Sequence, residues 1–212
     1  MLIPQRSEQW FEIRKGKITS SEIHKIMGEK GLGETGKTYL LEKVCEHYGG
    51  VTEPATGQAL EWGTELEPLA IEHYEQLTGQ IVDKASFIEV SEYYGGSPDG
   101  LIEPTGIIEV KCPFKSANHF KHGLIDTPEK FKKVAPNYYY QCISNMLCAR
   151  ATWCDFISFD PRVSNDYRMF VYRLEHDPVE AEAMWQRVEI AVEYMKDLEE
   201  EIKKAKPKLL LG

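Results

Sequence analysis

The sequence predicts a single-domain α/β fold in which a mixed central β-sheet is flanked by α-helices. Its 212 residues suffice for one domain with a sizeable core, and its 42% hydrophobic and 28% charged residues are ordinary for a globular protein. Apolar positions at helical spacing dominate before residue 80, whereas short segments rich in Ile, Val, Phe and Tyr follow. No apolar run approaches the roughly 18 residues of a membrane span.

Four helices are predicted in the first part of the chain, and each ends at a glycine. Ser7 is a suitable N-cap for the first helix. The fourth carries Leu66, Ala70 and Tyr74 on one face. These helices cover residues 8–15, 20–27, 38–48 and 60–78.

From residue 81 the pattern becomes that of β-strands separated by Gly, Pro and Asp turns. The predicted strands cover residues 81–90, 93–102, 106–111, 151–159 and 167–174. Further helices are predicted over 116–124, 136–149 and 178–205. We therefore expect residues 1–212 to form one domain that ends in a long amphipathic helix.

The formal net charge of −9 is unevenly distributed. Residues 51–110 carry twelve carboxylates and one lysine, whereas residues 111–133 carry six lysines and two carboxylates. The net charge alone argues against a nucleic-acid partner, because phosphates require a basic surface. The distribution does not, because the positive segment and the N-terminal bases can face phosphates while the acidic segment supplies metal ligands.

The cysteines and two histidines are assigned to other roles than metal binding. The five cysteines are odd in number and form no C-x₂-C pair, so the sequence predicts core thiols in a reducing cytoplasm. His119 and His122 lie in the lysine-rich segment, and we expect them at the surface or in contact with phosphate.

Asp99, Glu109 and Lys111 form the strongest candidate site. Side chains alternate along a strand, so Glu109 and Lys111 point to one face, and a hairpin would bring Asp99 beside Glu109. Two close carboxylates repel each other unless a cation lies between them, and such hard ligands suit Mg²⁺ or Mn²⁺. A nearby lysine can stabilise phosphoryl charge and help to activate water. A hairpin with ordinary surface charges has the same local pattern.

The motifs around this site resemble those of PD-(D/E)XK nucleases, and within that superfamily the lambda-exonuclease-like, or viral recombinase, branch. The resemblance extends from about Trp10 to Arg162, and its motifs occur in the family's order. They are Arg14–Ile23 (RKGKITSSEI), Trp62–Glu67 (WGTELE), Ser97–Leu101 (SPDGL), Glu109–Phe114 (EVKCPF), Tyr138–Gln141 (YYYQ) and Asp160–Arg162 (DPR).

The resemblance implies a role for each matching residue. Asp99, Glu109 and the Val110 carbonyl would hold the metal, and Lys111 would be the catalytic lysine. Glu67 matches the family's additional carboxylate ligand, and Gln141 matches a helix glutamine beside the site. Ile143 stands where a relative has a second glutamine.

Arg14 and Ser21 match the pair with which such enzymes hold the 5′-phosphate of a DNA end. A guanidinium binds phosphate bidentately, and a helix start favours anions. The residue pattern alone favours an N-cap serine and a surface arginine over a phosphate site.

The resemblance also implies the activity: metal-dependent 5′→3′ digestion of one strand of duplex DNA, which releases mononucleotides and leaves a 3′ overhang for recombination. Two Mg²⁺ ions are expected, with Mn²⁺ as a substitute. The N-terminal helices within residues 1–50 would contribute to DNA-end binding. A ring-shaped homotrimer, a single-strand-annealing partner and the cytoplasm of a bacterial host of a phage or prophage follow by the same route.

Three other functions remain open. A PD-(D/E)XK endonuclease of the restriction or repair type would share the site but also cut closed circles. The segment Gly31–Thr38 satisfies the P-loop pattern, although no strand is predicted before it, so ATP binding is not expected. A DNA-binding module without catalysis would retain only the basic surface.

Overall fold

A computed structural model describes residues 3–51 and 57–205 of the chain. Helices dominate before residue 80 and most of the strands follow, as the sequence predicts. The α-helices are α1 (Glu8–Arg14), α2 (Gly33–His47), α3 (Gln58–Thr78), α4 (Ser116–His122), α5 (Pro128–Val134), α6 (Pro136–Ala149) and α7 (Pro178–Lys204). Two 3₁₀ helices cover Ser20–Ile26 and Asn165–Tyr167. Within these residues, no helix is long and apolar enough to cross a membrane.

The strands of the described residues form two sheets. They are β1 (Ile18–Thr19), β2 (Ile88–Ser91), β3 (Tyr94–Gly96), β4 (Gly100–Ile102), β5 (Gly106–Lys111), β6 (Trp153–Phe159) and β7 (Met169–Glu175). One sheet has the order β1-β3-β2 and the other β4-β5-β6-β7. The second sheet is mixed, because β5 and β6 are parallel whereas β4 and β7 run antiparallel to their neighbours. The predicted mixed α/β architecture is thereby confirmed.

Helices cover both faces of the four-stranded sheet. Tyr74 of α3 packs with Ile108 and Val110 of β5 on one face. Ile107 of β5 packs with Met146 of α6 on the other. Side chains alternate along β5, so its even-numbered residues face α3 and its odd-numbered residues face α6. Glu109 is therefore directed toward α6.

The local signals explain several boundaries. The Ser7 hydroxyl accepts a hydrogen bond from the Trp10 amide at 3.2 Å and caps α1, as expected. Gly79 ends α3 in the left-handed conformation, with φ of 72°, which glycine adopts without steric cost.

Other predictions of the secondary structure are wrong. The predicted strand 93–102 is two strands in different sheets, because Pro98 lacks an amide donor and Asp99 uses its backbone and side chain to bond β5. Helix α2 begins at Gly33, before the predicted residue 38, and helix α5 was not predicted. The signals for α5 exist, since Thr127 caps it and Pro128 occupies its first turn.

His119 and His122 are buried, contrary to the expectation of surface positions. The Nδ1 atoms of the two rings lie 2.9 and 3.0 Å from the Ser158 hydroxyl of β6, which gives both a polar partner inside the protein. Burial lowers the pKa of His122 to about 4. Cys45 is exposed, whereas the other four cysteines are buried as expected.

Candidate active site

A cavity of about 380 Å³ lies where the C-terminal end of β5 meets α3 and α6. All eight residues that the sequence analysis singled out line it, although they come from six separate segments of the chain. They are Arg14, Ser21, Glu67, Asp99, Glu109, Val110, Lys111 and Gln141.

The β4–β5 hairpin brings Asp99 beside β5. Gly100 pairs with Ile108, so Asp99 lies just before the first paired residue of β4. The Val110 amide donates a hydrogen bond to Asp99 Oδ2 at 2.7 Å. The N–H and C=O of one strand residue point to the same edge, so the Val110 carbonyl is directed to the Asp99 side.

Glu109 is fully buried and held from two directions. Its Oε1 accepts a hydrogen bond from Lys111 Nζ, and its Oε2 accepts one at 2.9 Å from the side-chain amide of Asn145 on α6. The Lys111 ammonium also lies 5.0 Å from the centre of the Tyr138 ring. The strand and the helix together therefore determine the orientation of this carboxylate.

Burial and mutual repulsion oppose ionisation of the two carboxylates. Burial, followed by the charge of Glu109, raises the pKa of Asp99 well above its ordinary value. Burial also raises the pKa of Glu109, although Lys111 acts in the opposite direction. Burial disfavours the Lys111 ammonium, but the charges of Glu109 and Asp99 outweigh it and raise the pKa of Lys111. The cavity therefore favours additional positive charge beside the carboxylates.

The oxygens at this position fit a hard divalent cation. Among residues 3–51 and 57–205, no group of three or more His, Cys, Asp and Glu side chains is arranged to hold a metal by itself. Asp99, Glu109 and the Val110 carbonyl would supply three oxygens, and Mg²⁺ commonly completes a small protein set with water and phosphate oxygens. The oxygen chemistry and the unfavourable ionisation of the pair both fit such an ion.

Glu67 and Gln141 approach the site from the two flanking helices. Glu67 Oε2 accepts a hydrogen bond from Arg6 Nη2 at 2.7 Å, so this carboxylate is ion-paired rather than grouped with Asp99 and Glu109. Gln141 is 9% exposed and lines the cavity from α6.

Arg14 and Ser21 form a separate polar corner of the cavity. Arg14 Nη2 lies 3.4 Å from Ser21 Oγ, and the guanidinium carbon lies 3.8 Å from the centre of the Trp10 ring. Burial lowers the pKa of Arg14 to about 10. Tyr39, Glu22 and Glu46 act to raise this pKa, but their effect is smaller than that of burial. A half-buried guanidinium with insufficient counter-charge, packed against an aromatic ring, is suited to an anion.

Sequence reasoning missed three residues at this site: Arg6, Trp10 and Asn145. Arg6 and Asn145 act through contacts between distant segments, since the pairs Arg6–Glu67 and Asn145–Glu109 are 61 and 36 positions apart. Trp10 instead contacts Arg14 one turn later in α1. Ile143, the departure from the family pattern, is buried in the core that α6 shares with the sheet.

The P-loop-like segment Gly31–Thr38 has a different setting. It contributes the first residues of α2, and the 3₁₀ helix Ser20–Ile26 precedes it rather than a strand. Lys37 forms an ion pair with Glu34 at 3.4 Å. None of these residues lines the cavity described above.

Comparison with known proteins identifies the class. The nearly complete overlap with two solved exonucleases, together with the mixed sheet and hairpin, confirms a fold of the PD-(D/E)XK nuclease type. The model of the YqaJ-like viral recombinase domain matches residues 9–152, and the chain belongs to that family. The predicted branch of the superfamily is thus confirmed, and so is the prediction of an exonuclease-type enzyme.

The alignments with solved structures span most of both chains. An alkaline exonuclease from Laribacter hongkongensis is 32% identical, with a TM-score of 0.81 over 93% of this chain and 97% of that one. The same enzyme has been solved in complex with dAMP, with the same similarity. A phage-related exonuclease from Haemophilus somnus 129PT shares 21% identity and a TM-score of 0.73 over 88% of this chain and 96% of that one, which shows the fold alone. No curated protein matches.

Proposed function

We propose that this protein is a metal-dependent exonuclease that degrades one strand of duplex DNA 5′→3′ from a 5′-phosphorylated end. One observation carries the proposal: a half-buried arginine–serine pair suited to an anion and the Asp99–Glu109 carboxylate pair with its lysine line the same cavity. A terminal phosphate and a scissile phosphate can therefore bind together. The resemblance to the family implies release of mononucleotides and a 3′ overhang, and the L. hongkongensis enzyme was solved with a mononucleotide, dAMP.

The residues of the chain divide the reaction among them. Arg14 and Ser21 bind the terminal phosphate and fix the distance to the bond that is cut. Asp99, Glu109 and the Val110 carbonyl would hold Mg²⁺, which would supply Lewis-acid stabilisation and lower the pKa of a bound water.

Lys111 and two flanking residues complete the site. Lys111 places its positive charge beside the phosphoryl oxygens, where negative charge develops during in-line attack. Gln141 offers its amide to the substrate from α6. Glu67 lies in the cavity wall, paired with Arg6, and would be the additional carboxylate ligand of a second ion.

The wider setting of the proposal comes from the family. We expect two Mg²⁺ ions, replaceable by Mn²⁺, and a homotrimeric ring that encloses the DNA. A single-strand-annealing protein would take over the 3′ overhang. A phage- or prophage-encoded enzyme would carry out this reaction in the bacterial cytoplasm.

The decisive assay compares linear and closed circular duplex DNA with Mg²⁺ and with a chelator. We expect Mg²⁺-dependent release of nucleotides from linear DNA only, and its loss in Glu109→Ala and Lys111→Ala. Lys37→Ala is the matched control, because this substitution also removes a lysine but in the P-loop-like segment. The Lys37→Ala variant should retain nuclease activity. Cutting of circles would favour the endonuclease, and loss of activity in Lys37→Ala would favour a nucleotide-dependent protein.

A further inference from the structure

A second depression, of about 590 Å³, adjoins the catalytic cavity. The two share Ala59, Cys112, Pro113 and Tyr138, so the depression begins where Tyr138 lies beside Lys111. We call it the basic groove; among the residues that line it but not the cavity are Phe114, Lys115, Asn118, Lys121, His122 and Asn137.

The charge of the basic groove contrasts with that of the cavity. The cavity is lined by Arg6, Arg14 and Lys111 together with three carboxylates. Among the described residues that line the groove, Lys115 and Lys121 are basic and none is Asp or Glu. His122 adds no charge at neutral pH, because burial lowers its pKa to about 4. The groove is thus a positive patch on a protein of net charge −9.

The two lysines have no counter-ion among residues 3–51 and 57–205. Both are exposed, and within the described part of the chain neither forms an ion pair. The following helix differs, because Lys130 is paired with Asp126 at 3.1 Å and Lys132 with Glu180 at 3.0 Å. Lys115 and Lys121 can therefore bind an external anion without first breaking an ion pair.

Other features of the basic groove fit a nucleic-acid strand. Phe114 is 44% exposed and offers an aromatic face on which a base or sugar can pack. Helix α6 begins in the groove, with neither an acidic residue nor a side-chain cap in its first turn, so its free amides favour phosphate. Arg162 donates to the carbonyls of Pro113 and Phe114 at 3.1 and 3.0 Å and so fixes the wall that the groove shares with the cavity.

We propose that the basic groove binds the sugar-phosphate backbone of the substrate strand on the 3′ side of the scissile phosphate. This inference rests on the proposed function, which assigns the 5′-terminal phosphate to Arg14 and Ser21. Those two residues line the cavity but not the groove. A strand held by its end at Arg14 and cut beside Lys111 therefore continues past Tyr138 toward Lys115 and Lys121.

The test measures binding of a 5′-phosphorylated duplex at several salt concentrations by fluorescence anisotropy, without divalent metal so that no DNA is cut. Lys115→Gln/Lys121→Gln should weaken binding and reduce the slope of log Kd against log salt by about two, since each lost phosphate contact removes about 0.9. In the nuclease assay KM should rise while kcat stays unchanged. The matched control is Lys84→Gln/Lys204→Gln, which makes the same charge change at exposed positions elsewhere.

Each outcome separates this inference from the proposed function. A wild-type slope and KM in Lys115→Gln/Lys121→Gln, or equal weakening in the control, would overturn the groove assignment and leave the exonuclease intact. A wild-type protein that neither binds nor degrades linear duplex would overturn both.

Discussion

Two buried carboxylates on neighbouring strands, Glu109 of β5 and Asp155 of β6, have opposite surroundings. Asp155 lies toward α3, where Arg173 donates to both its oxygens at 2.8 Å and the Tyr74 hydroxyl donates at 2.6 Å. Glu109 lies toward α6 and the cavity, with one bond each from Lys111 and Asn145.

The difference shows how the fold separates stability from chemistry. The bidentate guanidinium and the phenol give Asp155 three donors, the arrangement in which a buried ion pair is best compensated. Glu109 shares its surroundings with a second acid, Asp99, and burial raises the pKa of both. We therefore expect substitutions at Asp155 to affect folding and substitutions at Glu109 to affect activity.

The largest expected effect is that of Glu109→Gln. Loss of this charge should reduce Mg²⁺-dependent nucleotide release by about 10³-fold or more, because charge stabilisation at the reacting phosphate depends on it. The melting temperature of the metal-free protein should be equal to or above that of the wild type. A loss of stability with retained activity would reverse the comparison.

Asp155→Asn should have the opposite outcome. Removal of one partner leaves the Arg173 charge and the Tyr74 hydroxyl imperfectly paired, which costs about 3 kcal/mol of unfolding free energy. Denaturant unfolding measures this loss directly. Specific activity well below the unfolding transition should remain near that of the wild type, and a 10³-fold loss there would assign Asp155 to the site instead.

A smaller effect is expected when the neutral hydrogen-bond donor beside Glu109 is removed. Asn145→Leu deletes the amide that orients Glu109, and we expect a roughly 10-fold to 100-fold loss in activity or in apparent Mg²⁺ affinity. A Mg²⁺ titration of the rate separates this positioning role from a purely structural one. Unchanged Mg²⁺ dependence with lowered stability would contradict it.

Tyr74→Phe is the matched change beside Asp155. It removes one hydrogen bond to a charged group and should cost about 2 kcal/mol of stability or less. The Mg²⁺ dependence of the rate should not move. A shift in that dependence would show that the α3 face is coupled to the catalytic cavity.

The smallest effect is a pH dependence of stability. The pKa of Glu109 is raised in the folded protein, so its ionised form destabilises the metal-free fold at pH values above that pKa. The stability of metal-free Glu109→Gln should therefore exceed that of the wild type by the full amount at high pH. This difference should vanish as the pH falls below the usual pKa of about 4.5. Melting temperatures from pH 4 to pH 9 test this, and an advantage that grows on acidification would contradict the sign.

Much of the candidate site was accessible from the sequence because its parts are local. Glu109 and Lys111 share a strand, and Asp99 lies on the adjoining hairpin. Glu67, Gln141, Arg14 and Ser21 were predicted only through the family resemblance. The period-2 pattern and the turn residues were sufficient to place the first three on one hairpin.

The remaining parts depend on packing between distant segments. Asn145 reaches Glu109 only because α6 lies on the odd-numbered face of β5, and nothing in its own helix marks it. His119 and His122 were misplaced because the lysines around them indicate solvent, whereas Ser158 of β6 supplies a partner for both rings. The predicted strand boundaries are wrong at Pro98, because the segment around it contributes strands to two different sheets.

The central claim is that one cavity recognises a 5′-phosphate and cuts the adjoining bond. The most direct measurement is the rate of nucleotide release from linear duplexes that differ only in a 5′-phosphate or a 5′-hydroxyl, in the wild type and in Arg14→Gln with Mg²⁺ present. We predict a strong preference of the wild type for the phosphorylated end and its collapse in Arg14→Gln. Equal wild-type rates on the two ends would contradict the account.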